Sequence, residues 1–238
     1  MSKESNVTFA ADGARLEGYL RQPEGPGPFP AVVVIHELFG LNDNIRRITD
    51  RFAAEGFVAL APNLFSRPGG IPRFCVTQMV KAFITASVDQ VAVRDLTAAV
   101  TYLQGLDSVH ADRTGVVGFC LGGGFALLVA CASDEIKAGV SFYGRNPGRI
   151  DAVADIQCPI LYFYGKNDRL VRGGVPKLEQ AMRDHGKSLT VRSYPNASHS
   201  FMNDGRGSYR PEAADDAWRH MLGFFREHLT GSSHADER

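Results

Sequence analysis

The feature that most narrows the folds open to this chain is an unbroken apolar run, Ala31-Val32-Val33-Val34-Ile35, with counterparts at residues 58–61, 114–119, 138–143 and 160–164 and a more polar last strand at 190–194. Such runs read as strands covered on both faces rather than as the alternating pattern of a half-solvated sheet. Residues 45–54, 88–103, 121–131, 175–185 and 213–229, which lie between or after these runs, read as helices. Strands alternating with helices predict an α/β class, with a mostly parallel central sheet and helices on both faces. Two shorter strands at 7–9 and 16–20, split by the Asp12-Gly13 turn, add an N-terminal antiparallel pair, and residues 23–30 form a proline-rich connector. Residues 63–85 are expected as a loop or cap over a site, and residues 231–238 as a frayed polar tail.

At 238 residues the chain fits a single domain, residues 1–238, with a sizeable core. Lys plus Arg and Asp plus Glu are equal at 26 each, with no long run of one charge, which argues against a nucleic-acid footprint. No segment approaches the roughly 20 apolar residues of a membrane span, and the first residues lack the apolar centre of a signal peptide. The expectation is a cytoplasmic protein, monomeric or weakly homo-oligomeric, with no membrane partner. Cys75, Cys120, Cys131 and Cys158 are too far apart for a zinc pair or a dense disulfide framework, so reduced thiols and no metal are expected.

Of these thiols, Cys120 stands apart. It sits in Gly118-Phe119-Cys120-Leu121-Gly122, between a predicted strand and a predicted helix. Small residues on both sides allow the sharp turn of a nucleophile elbow, which lifts one side chain above the sheet near a helix N-terminus. Such a thiol needs a base, and the base needs a group that fixes its tautomer. Asp168 follows the strand at 160–164 and His199 follows the strand at 190–194, giving the order nucleophile, acid, histidine. Backbone N–H groups of Leu121 and Leu38 would bind an oxyanion. Glu37 then lies beside that position, as a solvated loop residue, a helix cap or a partner of Cys120.

These segments resemble the dienelactone hydrolase (carboxymethylenebutenolidase) family of the α/β-hydrolase fold. The matching residues are Glu37-Leu38-Phe39-Gly40, Ala61-Pro62-Asn63-Leu64-Phe65, the Cys120 elbow, Phe142-Tyr143-Gly144, the loop at 165–168 and Ser198-His199-Ser200-Phe201. The resemblance implies hydrolysis of an enol lactone through a cysteine thioester, with Cys120, Asp168 and His199 as a triad, Glu37 governing the thiol, and no cofactor. It also implies arginines for a substrate carboxylate, one of them shortly after the histidine. Here the chain reads Ser200-Phe201-Met202-Asn203-Asp204-Gly205-Arg206, so Arg206, Arg145, Arg73, Arg67 and Lys81 are the candidate cations. Phe39, Tyr143 and Phe201 are candidate walls of a substrate pocket. A general carboxylesterase or thioesterase on the same fold is the neighbouring reading. A non-catalytic thiol module for redox sensing or binding is the reading from another class.

Overall fold

The computed structural model describes residues 3–68 and 90–231. Within them, the strands are β1 Lys3–Ala11, β2 Ala14–Gln22, β3 Phe29–Ile35, β4 Val58–Pro62, β5 Val109–Phe119, β6 Ile136–Phe142, β7 Ile160–Gly165 and β8 Leu189–Tyr194. The helices are α1 Asp43–Ala54, α2 Val91–Gln104, α3 Leu121–Ala132, α4 Val175–Asp184 and α5 Pro211–Thr230, and a 3-10 turn spans Ile150–Asp155. All these strands join one sheet in the order β1-β2-β4-β3-β5-β6-β7-β8. β1 and β2 form an antiparallel pair, β2 meets β4 antiparallel, and the pairs from β4 through β8 are parallel.

The apolar runs of β3 to β7 became the buried centres of their strands, whereas β8, at the sheet's edge, has no fully buried residue; the other departures lie at strand ends. β5 begins at Val109 instead of residue 114, because the polar stretch His110 to Arg113 extends the strand past its buried part, across a register shift against β3. α2 begins at Val91; residues 88 and 89 of the expected helix lie outside the described residues. The 3-10 turn was not expected from the sequence. The expected loop or cap at 63–85 is described only as far as Pro68, where Arg67 is committed elsewhere: it pairs with the buried Asp95 and donates to the backbone oxygens of Ala11 and Asp12.

Each face of the sheet has its own core. One face packs Val93, Leu96 and Val100 of α2, Phe125 and Leu128 of α3, and Leu178 of α4. The other packs Ile45, Ile48 and Phe52 of α1 with Trp218, Met221 and Phe225 of α5. α3 is buried on nearly all sides, which a helix tolerates only if it is apolar all round, as this one is. On the α1–α5 face, stacked rings run from Phe119 to Phe142 at 4.9 Å and from Phe142 to Phe163 at 4.5 Å, one residue from each of β5, β6 and β7.

The sheet order also fixes where a ligand can sit. From β3 the chain moves one way to β4 and then returns to place β5 on the other side. At such a switch point, the loops leaving adjacent strands diverge and leave a crevice at their carboxyl ends. The loop holding Glu37 and Leu38 leaves β3, and Cys120 leaves β5, so both rim this crevice.

Candidate active site

Cys120 joins β5 to α3 with φ 55° and ψ −114°, a conformation that L residues rarely adopt. Two close approaches hold it there. A Cβ on Gly118 would lie 1.9 Å from the Gly122 oxygen, and one on Gly122 would lie 2.4 Å from the Ile35 oxygen. The first closes the elbow on itself, and the second presses it against the end of β3. The N–H of Cys120 donates to Phe142 O at 3.0 Å, tying the turn to β6 as well. Cys131 and Cys158, by contrast, are packed in the core, where burial pushes each thiol up to about 12. They are inert at neutral pH. Cys75 lies outside the described residues.

The loops after β7 and β8 bring Asp168 and His199 together. His199 Nδ1–H donates to Asp168 Oδ2 at 2.7 Å, and the buried acid also accepts from the Leu170 N–H at 2.9 Å. Nε2 of His199 is buried and has no hydrogen-bond partner among the described residues. Burial works against the imidazolium, but the bond to Asp168 and the neighbouring Cys120 sulfur outweigh it, raising His199 to about 10. The ring therefore faces the thiol through one nitrogen and is fixed by a carboxylate through the other.

Glu37 is buried, which overturns its reading as a solvated loop residue. Its Oε1 accepts from Ser200 Oγ at 3.1 Å and Tyr143 Oη at 3.4 Å, and its Oε2 accepts from Asn203 Nδ2 at 2.5 Å. Tyr143 links this carboxylate to the rest of the site. Its ring lies 5.0 Å from that of His199, and burial together with the charges of Glu37 and Cys120 raises its phenol well above the ordinary value. It stays protonated as a donor.

The expected substrate contacts fare differently. Tyr143 and Phe201 are fully buried and pack against each other at 5.5 Å, so both support the site from behind instead of lining it. Phe39 is 42 % exposed, and the Arg206 guanidinium lies 4.0 Å from its ring centre. That stacked pair bridges the loops after β3 and β8. Arg145 lines a separate cavity of about 340 Å³ with Asn146, Leu170 and Lys177, and neither Cys120 nor His199 is among its lining residues. Arg73 and Lys81 lie outside the described residues. Nothing in the sequence marks Ser200 and Asn203 as partners of Glu37 beyond the lack of an arginine in the stretch from Ser200 to Gly205. His36 was also missed, although it directly precedes Glu37.

Leu38 and Leu121 stand on the facing sides of the crevice, and among the described residues neither N–H has an acceptor. A cysteine, a histidine and an aspartate thus converge at the ends of β5, β8 and β7, beside two backbone donors. With this arrangement at the switch point of a parallel sheet that closes on an antiparallel pair, the chain has the α/β-hydrolase fold. Within that class it belongs to the dienelactone hydrolase family, whose model matches residues 16–229.

Individual relatives fit that placement. A Methylorubrum extorquens protein bearing the name carboxymethylenebutenolidase is 34% identical over 228 residues, which is 90% of this chain and 77% of that protein. A Bradyrhizobium protein named as a 2-oxo-3-(5-oxofuran-2-ylidene)propanoate lactonase is 33% identical over 236 residues, 94% of each chain. A crystal structure described as a dienelactone hydrolase from Klebsiella pneumoniae superposes with a TM-score of 0.84 at 29% identity, covering 95% of this chain and 99% of that one.

Proposed function

We propose that the protein hydrolyses a lactone or ester through a thioester on Cys120. The observation that carries this reading is the strained elbow at Cys120 facing the buried Nε2 of a histidine whose other nitrogen is fixed by Asp168. His199 Nε2 holds the proton given up by the Cys120 thiol, and Cys120 Sγ attacks the acyl carbonyl. The negative oxygen of the tetrahedral intermediate is held by the N–H groups of Leu38 and Leu121. As the intermediate collapses, the carbon–oxygen bond to the leaving group breaks, and His199 returns the proton to that oxygen. Water, deprotonated by His199, then attacks the thioester, and the acid is released as the thiol is regenerated. No cofactor enters these steps.

Asp168 fixes Nδ1 of His199 as a donor, so that Nε2 is turned to the thiol, and stabilises the imidazolium. Glu37 governs the thiol through Tyr143, which faces both. The name of the Bradyrhizobium relative favours an enol lactone as the substrate. One observation favours a broader ester or thioester substrate: residues 200–205 after His199 hold no cation, and Asn203 among them is spent on Glu37.

Cys120→Ala is expected to abolish hydrolysis while leaving the circular dichroism spectrum and melting temperature close to wild type. Turnover retained by the purified variant would remove the mechanism. Rates on an enol lactone and on a neutral aryl ester, measured side by side, decide between the two substrate classes: a carboxylate-anchored site strongly favours the lactone.

A further inference from the structure

We infer that His36, a buried residue outside the triad, is a positioning residue that orients the Leu38 N–H of the oxyanion hole through the carbonyl of Glu37. The inference rests on the proposed acyl transfer at Cys120 and adds a residue to it.

His36 is fully buried at the end of β3, and both its ring nitrogens are engaged. Leu64 N–H donates to Nε2 at 3.2 Å, and the other nitrogen, Nδ1, lies 2.7 Å from Glu37 O. A backbone N–H can only donate, so Nε2 must be the acceptor and the proton must sit on Nδ1, from which it is given to Glu37 O. The neutral ring with that one tautomer satisfies both contacts. Burial opposes the charged form more than the backbone contacts favour it, lowering His36 to about 4. The ring is therefore uncharged at neutral pH, and the tautomer does not fluctuate.

The consequence for Leu38 follows from peptide geometry. Glu37 C=O and Leu38 N–H belong to one planar trans unit and point in opposite directions. Fixing the oxygen fixes the N–H. Glu37 O accepts from His36 Nδ1 and also from the Gly40 N–H at 3.1 Å, so two donors hold it on the side away from the crevice. Through Leu64, His36 further ties this peptide to the loop after β4, and Phe65 of that loop packs on the ring at 5.0 Å between centres. A donor aimed in advance at developing charge is worth more than one that must reorient during the reaction.

Two substitutions separate the two contacts. His36→Asn places an amide near the Nδ1 position and keeps a donor for Glu37 O, while giving up Leu64. His36→Gln reaches the Nε2 position and keeps an acceptor for Leu64, while giving up Glu37 O. The expected result is that His36→Gln loses about tenfold to a hundredfold in kcat with KM within about twofold, less than the loss for deleting such a donor outright, and that His36→Asn retains most of the rate. Alkylation of Cys120 by iodoacetamide develops no oxyanion, so its rate should match wild type in both variants.

Full turnover in His36→Gln overturns the inference, as does an alkylation rate that falls in parallel with turnover. Nitrogen-15 NMR of the unaltered protein gives a reading that no folding defect can obscure: a proton on Nδ1 of His36 supports the inference, and a proton on Nε2 overturns it. If Cys120→Ala retained activity, the acyl-transfer reading would fail whatever the His36 tautomer. If Cys120→Ala is dead and His36→Gln is not, only the role of His36 falls.

Discussion

The molecule buries two carboxylates beside the same crevice and treats them in opposite ways. Asp168 faces an ionisable ring, so its charge is answered by a proton that His199 holds up to about 10. Glu37 is surrounded by hydroxyls and an amide, from Tyr143, Ser200 and Asn203, which solvate its charge without being able to neutralise it. The difference separates two tasks. A carboxylate opposite an imidazole sets where a proton resides during the reaction. One held by neutral donors has no partner to exchange a proton with, and in the proposed mechanism it acts on the thiol through Tyr143.

Removing the charge at Asp168 is expected to have the largest effect. Asp168→Asn keeps the shape of the acid but lets His199 adopt the wrong tautomer, and kcat for ester hydrolysis should fall by about a thousandfold to ten-thousandfold. The same variant alters pH dependence. The folded protein holds the His199 proton from about 6.5 to about 10, whereas the unfolded chain has released it, so stability is full below pH 6.5 and declines as pH rises through that window. Melting temperatures measured from pH 6 to 10 should fall more steeply for wild type than for Asp168→Asn. Equal slopes would mean that the pair does not hold a proton, and the contrast with Glu37 would collapse.

Glu37→Gln is expected to lower kcat/KM by about tenfold to a hundredfold, no more than the bottom of the range for groups that transfer a proton directly. A rate equal to wild type would make the buried charge a matter of folding alone. Asn203→Ala should affect turnover less and stability more clearly, by about 1–3 kcal/mol in denaturant unfolding, since it leaves a buried carboxylate oxygen short of a donor. If it instead matched Glu37→Gln in kinetics while unfolding like wild type, Asn203 would belong with the chemistry and not with the support of Glu37.

The two carboxylates also differed in how far they could be read from the sequence. Cys120 and Asp168 were visible because each follows a strand whose apolar run is plain, and His199 because it follows the next strand in the chain order that such a site requires; the parallel order of β5 to β8 brings these ends together. The partners of Glu37 were not, because Ser200 and Asn203 lie more than 160 residues away along the chain and meet it only through tertiary packing. Tyr143 and Phe201, aromatic beside the motifs, suggest pocket walls, yet aromatic residues beyond strand ends serve equally well as packing, and here both are buried. Strand ends misled for a related reason: the first part of β5 is polar and pairs at the margin of the sheet, so no hydrophobic pattern announces it.

Among the described residues, the non-glycine positions with positive φ are Asp12, Cys120, Tyr143 and Ser200, and the last three meet around Glu37 and His199. Conformations of this kind cost about 1–3 kcal/mol each. A sequence chosen for thermal endurance alone would relax these turns with glycine and lose the thiol, the phenol and the hydroxyl together. The proposed site thus gathers three of the four non-glycine positive-φ positions among the described residues, and the two cores on either side of the sheet supply the stability that holds them there.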